Sequence, residues 1–206
     1  MKAISLGTDP RSLEVASTMV KEGGVVAFPT DTVYGLGCDP FDAAAVVRLI
    51  EAKERESKPI PVLCASEEDA AKLVELGPRG LELVRRYWPG ALTIVARLRV
   101  ELPEVLNQGS GWLGVRVPAD ETALSLARGC GGYITGTSAN LSGHPSCRSA
   151  QEVANSLGDR IDAIIDGGVR TGSESTVLRV DGESVEVLRR GSVAFEPGIK
   201  RESFDR

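Results

Sequence analysis

Short apolar runs set between stretches of helical period constrain this chain most. VVAFP (25–29), ALTIVARL (91–98), LGVRVP (113–118) and DAIID (162–166) are too short for buried helices. Their β-branched content makes them strands. Between them, apolar residues recur at helical spacing. Leu13, Ala16, Met19 and Val20 form one such face, entered at Asp9-Pro10 and stopped by Gly23-Gly24. Val46, Val47, Leu49 and Ile50 form a second, on a helix expected from about 43 to 55. Further helices are expected at about 67–76 and 79–88, divided by Gly77-Pro78; at 120–129, opened by Asp120; and from a Ser149 cap to about 157. PIPVLC (59–64) is a strand whose prolines suit a sheet edge or a strand end, and YIT (133–135) is another. STVLRV and SVEVLR, joined through Asp181-Gly182-Glu183, make a hairpin. TDTVYGLGCDPFD (30–42) has the glycines, aspartates and proline of a long ordered loop.

Interleaved strands and helices give an α/β or α+β class, and the terminal hairpin makes the expected single sheet a mixed one. The chain has 206 residues, 42% of them hydrophobic and 26% charged, enough to bury one generous core. With no repeat, low-complexity tract or linker, residues 1–206 read as one domain. A formal net charge of −5 excludes a protein held on nucleic acid or membrane by bulk charge, so any bound anion must meet a local cluster. No window approaches the roughly 18 consecutive apolar residues of a membrane span, and the start MKAISLGTDP lacks a signal-peptide core. A cytoplasmic location is the expectation. Cysteines at 38, 64, 130 and 147 form no CxxC pair, and His144 is the only histidine. Free or buried thiols are therefore expected, with neither a zinc site nor a histidine-based triad.

Candidate chemistry gathers near strand ends. Lys53, Arg55 and Lys58 close a helix, where cations also suit the macrodipole and simple solvation. Arg116, flanked by valines, shares a strand face with Gly114 and Pro118. It is either an edge residue with its head in water or a planar fork for a carboxylate or phosphate. Arg189 and Arg190 point to opposite faces, so one at most enters a shared site. Neither GxxxxGK[ST] nor a strand-borne GxGxxG is present. Three hydroxyl-rich stretches, PTDT (29–32), TGTSANLSG (135–143) and GSEST (172–176), can still cradle an anion through N–H and O–H groups.

PTDTVYGLGCDP, KER…KPIPVL, WPGALTIV, GVRVPAD, TGTSANLSGHPS, ESTVL and VLRRG occur in that order between about 25 and 191. Together they resemble the YrdC/TsaC family, the threonylcarbamoyl-AMP synthases, in its single-domain form. The resemblance implies a twisted mixed sheet with flanking helices around a concave basic groove. It also implies a nucleotidyltransferase that converts L-threonine, bicarbonate and ATP, with magnesium, to threonylcarbamoyl-AMP and pyrophosphate. A downstream threonylcarbamoyl transferase would use the product to modify adenosine 37 of tRNA, with tRNA as a further candidate partner. Residue by residue, it implies Thr32, Arg116 and Ser175 on threonine, and Arg55, Lys58, Ser138, Asn140, Ser146 and Arg189 on ATP. Lys53, Arg55 and Arg116 would position reactants and stabilise charge, with no side-chain nucleophile and no protein-held metal. The sequence departs from the family in a basic segment one residue shorter and in Arg190, where proline is common. The alternatives are a double-stranded RNA or tRNA-binding module of the same fold without catalysis, and the YrdC-like portion of the large hydrogenase-maturing carbamoyltransferases. Low aromatic content (4%) and the absence of an RNA-reading motif weigh against the first. The second carries zinc-finger and acylphosphatase segments that this sequence lacks.

Overall fold

The computed structural model describes residues 2–54 and 58–195. Its strands divide between two mixed sheets, not the single one expected. The first runs Ile4–Leu6, Ala163–Ile165, Val26–Phe28, Gly35–Gly37, Thr137–Ser138. Its first three strands are parallel, and the other two pair antiparallel. The second runs Ser184–Arg189, Thr176–Asp181, Leu92–Leu98, Trp112–Arg116, Val62–Cys64, Tyr133–Thr135, with Val74–Glu75 laid beside Leu92–Leu98. The hairpin Thr176–Asp181 and Ser184–Arg189 is antiparallel, as its turn residues predict.

The missed sheet has a physical cause. Gly35–Gly37 lies inside the stretch read as a loop, and its GLG sequence carries no strand propensity. It is a strand because Val26–Phe28 on one side and Thr137–Ser138 on the other supply its hydrogen-bond partners. Likewise Val62–Cys64 is not an edge: it sits between Trp112–Arg116 and Tyr133–Thr135, and Pro59 and Pro61 fall just before it. Of the two readings of those prolines, the strand end is the correct one.

The chain changes sheets within TGTS. Tyr133–Thr135 ends in the second sheet and Thr137–Ser138 begins in the first. Gly136 makes the crossing, where a Cβ would run into the Leu63 side chain. The junction is stitched by Thr135 N donating to Cys38 O at 3.0 Å and Cys38 N donating to Thr135 Oγ1 at 2.8 Å.

Helix signals translate directly. Asp9, Asp120 and Ser149 each accept a backbone N–H and cap Pro10–Lys21, Glu121–Gly129 and Ala150–Leu157. Ala43–Ala52 is shorter than expected, with Lys53 as its C-cap. The helix expected to reach residue 76 stops at Leu73, because Val74–Glu75 pairs with Leu92–Leu98 instead. The core is continuous through Tyr34, Leu36, Leu49, Ile60, Ile94 and Val115. A second cluster, around Val20, Phe28, Leu126 and Ile134, lies beneath Pro10–Lys21 and Glu121–Gly129. Among the described residues no helix is long and apolar enough to cross a membrane.

Candidate active site

One cavity of about 370 Å³ is lined from both sheets. Thr30, Thr32, Tyr34 and Gly35 come from the first sheet and its approach. Thr93, Gly114, Arg116 and Val177 come from the second. Trp112, Leu63, Val95, Pro59 and Pro61 give part of the wall an apolar character, while Ser138, Ser175, Glu174 and Arg189 supply polar groups. Apolar walls with a few convergent polar groups are what a small-molecule site requires.

The structure removes one of the two readings of Arg116. The residue is 5% exposed, on the strand face shared with Gly114, so it is no solvated edge arginine. Nε donates to Gly90 O at 2.8 Å, Nη1 to Thr32 Oγ1 at 3.3 Å, and Nη2 to Asp31 Oδ1 at 2.5 Å. Burial pushes its pKa down and Asp31 pushes it back up. Guanidinium remains the charged form throughout. Three of its five N–H groups are engaged, leaving a hydrogen on each terminal nitrogen for a ligand.

Thr32 has a similarly definite inventory. Thr30 Oγ1 gives its one proton to Val33 O at 2.7 Å, so across the 2.9 Å contact with Thr32 Oγ1 it must be the acceptor. Thr32 therefore donates to Thr30 and accepts from Arg116, with one lone pair left for a ligand N–H or O–H.

At the other side Ser175, just before Thr176–Asp181, meets Arg189 at the end of Ser184–Arg189. Arg189 Nη2 donates to Ser175 Oγ and Nε to Ser175 O, both at 3.1 Å, while Ser175 Oγ lies 2.9 Å from Thr93 Oγ1. Arg189 Nη1 donates to Glu174 Oε2 at 2.5 Å, and Ser146 Oγ donates to Glu174 Oε1 at 2.6 Å.

Thus Thr32, Arg116, Ser138, Ser175 and Arg189 are brought onto one cavity. Lys53 is not on its wall. It is 2% exposed, which overturns the solvated-helix-end reading for this residue alone, and Nζ donates to Asn140 O at 2.7 Å and also to Ser138 O. Its carbonyl accepts from Ser142 N at 2.9 Å, so main chain and side chain together pin the loop after Thr137–Ser138. Asn140 is 6% exposed and its Nδ2 donates to Leu141 O and His144 O, closing that loop from within; its Oδ1 has no partner among the described residues. Ser146 meets the site through Glu174. Lys58 is exposed just before the lining residue Pro59, and Arg55 falls outside the described residues. His144 is exposed on the loop, and all four cysteines are free thiols.

Asp31, Thr93, Trp112 and Glu174 were not singled out by sequence reasoning. Asp31 and Glu174 sit inside the quoted PTDT and GSEST stretches. A carboxylate beside a proposed anion loop was the available signal, since buried cations need partners.

The Sua5_yciO_yrdC family model, described as telomere recombination, matches residues 18–191. The chain is 41% identical over 187 residues to a threonylcarbamoyl-AMP synthase of Pyrococcus abyssi, covering 89% of this chain and 55% of that protein. A protein of the same name from Halorhodospira halophila is 38% identical, covering 89% of this chain and 97% of the relative. The chain thus spans about half the length of the first relative and nearly all of the second. Pyrococcus abyssi Sua5 complexed with L-threonine superposes with a TM-score of 0.86 at 38% identity, covering 93% of this chain and 58% of that one. Escherichia coli YciO gives a TM-score of 0.83 at 25% identity, covering 92% and 95%. With most of its length matched by the family model and a cavity built from the same ordered motifs, the chain belongs to the Sua5/YciO/YrdC family.

Proposed function

We propose that this chain is a threonylcarbamoyl-AMP synthase, joining L-threonine, bicarbonate and ATP into threonylcarbamoyl-AMP and pyrophosphate. The observation that carries this reading is a single cavity lined by two arginines, each oriented by a hydroxyl that also faces the cavity. The names of the relatives support the reaction, and the geometry supports the roles.

In this reading threonine lies at the Thr32–Arg116 end. The free N–H groups of Arg116 take its carboxylate or the carbamate, and the remaining lone pair of Thr32 accepts from its amine or hydroxyl. The deprotonated amine adds to carbon dioxide from bicarbonate, forming the C–N bond of a carbamate. A carbamate oxygen attacks the α-phosphorus, the α–β P–O bond breaks, and its electron pair leaves with pyrophosphate. Charge grows on phosphorus and on the leaving group, where fixed donors stabilise it without a side-chain nucleophile. Ser138, Ser146 and Arg189 are the donors to ATP among the described residues, and Lys58, exposed next to the lining residue Pro59, joins them, while Arg55 belongs to this reading on its motif alone. Lys53 and Asn140 serve indirectly, by fixing the loop that presents Ser138. Among the described residues no three His, Cys, Asp or Glu side chains form a metal cage. Magnesium belongs to the proposal only as the divalent ion that would accompany ATP and, when bound, supply charge neutralisation. The reactive mixed anhydride would pass to a separate transferase acting on tRNA, and residues 1–206 act as one domain.

The test is pyrophosphate release by the purified protein with ATP, L-threonine and bicarbonate, each omitted in turn. Release that requires all three is expected. Tight binding of double-stranded RNA with no release would replace the enzyme by the non-catalytic binding module.

A further inference from the structure

Glu174 sits where a phosphate would be expected. Ser146 and Arg189, two of the donors assigned above to ATP, both point at its carboxylate: Oε1 takes the Ser146 hydroxyl at 2.6 Å and Oε2 takes Arg189 Nη1 at 2.5 Å. One anion bridging a hydroxyl and a guanidinium through two oxygens reproduces the pattern of two phosphate oxygens. We infer that Glu174 is an internal counter-anion that holds Ser146 and Arg189 in place until a nucleotide phosphate takes over their donors. The inference rests on the ATP reading of this cavity and names how that end of the site is kept ready.

The surroundings restrict the exchange to one side chain. The Glu174 backbone is clamped: Ser192 N donates to its carbonyl at 2.9 Å, and Gly191 packs so closely that a Cβ there would run into Glu174 O and the Ser175 carbonyl. Arg189 does not depend on the carboxylate for orientation, because Nε and Nη2 stay on Ser175 O and Oγ. Release of Glu174 therefore frees Nη1 and the Ser146 hydroxyl while the rest of the guanidinium stays in place. The leaving carboxylate has water to enter, since its side chain is 39% exposed. An incoming polyphosphate must displace this pair and also endure the displaced negative charge nearby. Because both partners are substantially exposed, the penalty is that of a screened surface pair.

The test is Glu174→Gln, which keeps shape and one acceptor oxygen but removes the charge. Calorimetric titration of the full chain with a non-hydrolysable ATP analogue is expected to show binding about two- to fivefold tighter than wild type, shrinking as salt is raised. Threonine affinity, measured without nucleotide, is expected to be unchanged, because the Thr93–Ser175–Arg189 contacts stay. A merely structural role predicts the opposite direction, with weaker nucleotide binding and a lower melting temperature. If wild type binds the analogue and the variant binds it equally or more weakly, the ATP reading stands and the exchange is overturned. If neither protein binds it, the ATP reading falls and takes the exchange with it.

Discussion

Arg116→Lys separates the charge of Arg116 from the shape of its fork. The guanidinium reaches Gly90 O, Thr32 Oγ1 and Asp31 Oδ1 from three different nitrogens. An ammonium on a shorter head can keep Asp31 but cannot span all three. Gly90 O, which is part-buried, loses its charge-assisted donor, which costs about 1–3 kcal/mol of stability. For a chain of this size that corresponds to a melting temperature lower by roughly 2–12 °C. The second loss is catalytic: the two spare N–H groups no longer match a planar carboxylate or carbamate. Loss of one such preorganised contact costs about 2–4 kcal/mol in the transition state, or roughly 30- to 1000-fold in kcat/KM. Calorimetric melting gives the first number, and pyrophosphate release at varied threonine gives the second. A variant that melts lower but keeps kcat/KM for threonine within about threefold would show that the fork serves stability alone.

Lys53→Met removes the donor that Ser138 O and Asn140 O share; Ser138 O keeps the Asn140 N–H, so the loss is about 1–3 kcal/mol for the Asn140 carbonyl left without its donor. Urea unfolding should record that loss, and KM for ATP should rise more than KM for threonine; equal rises would refute the loop-holding role. Burial pushes the Cys38 thiol up to about 12 from 9.0, so above that lower value the unfolded chain gives up the proton first. Stability is then fully present below about pH 9 and falls by about 1.4 kcal/mol per pH unit as pH rises toward 12. Burial also raises Tyr34, which adds to the loss at higher pH. Urea unfolding of wild type and Cys38→Ala across about pH 7 to 11 checks this, and the same slope in both would refute it.

Much of the architecture was legible because its signals are local. Capping by Asp9, Asp120 and Ser149 depends on one side chain and the next three amides, and each cap formed as read. The Asp181-Gly182 hairpin and the strand face of Arg116 follow from turn chemistry and alternation. Gly35–Gly37 was not legible: it is a strand through its neighbours' hydrogen bonds, which no property of GLG encodes. The edge reading of PIPVLC failed for the same reason, since its partners come from more than fifty residues away, at Trp112–Arg116 and Tyr133–Thr135.

The site divides along the same line. The sequence by itself determined which chemical groups are available, namely three hydroxyl-rich stretches, arginines at strand ends and a lone histidine in a turn, and its ordered motifs named the family. Only the tertiary structure decided what each group faces. Folding brought Thr32 and Arg116, 84 residues apart, into one hydrogen bond. It buried Lys53 beneath the loop instead of turning it toward the cavity, and it placed a carboxylate on each arginine, Asp31 on Arg116 and Glu174 on Arg189. A charged side chain's role is set by its solvation and its partners. Both are properties of the packed sheets and not of the local sequence.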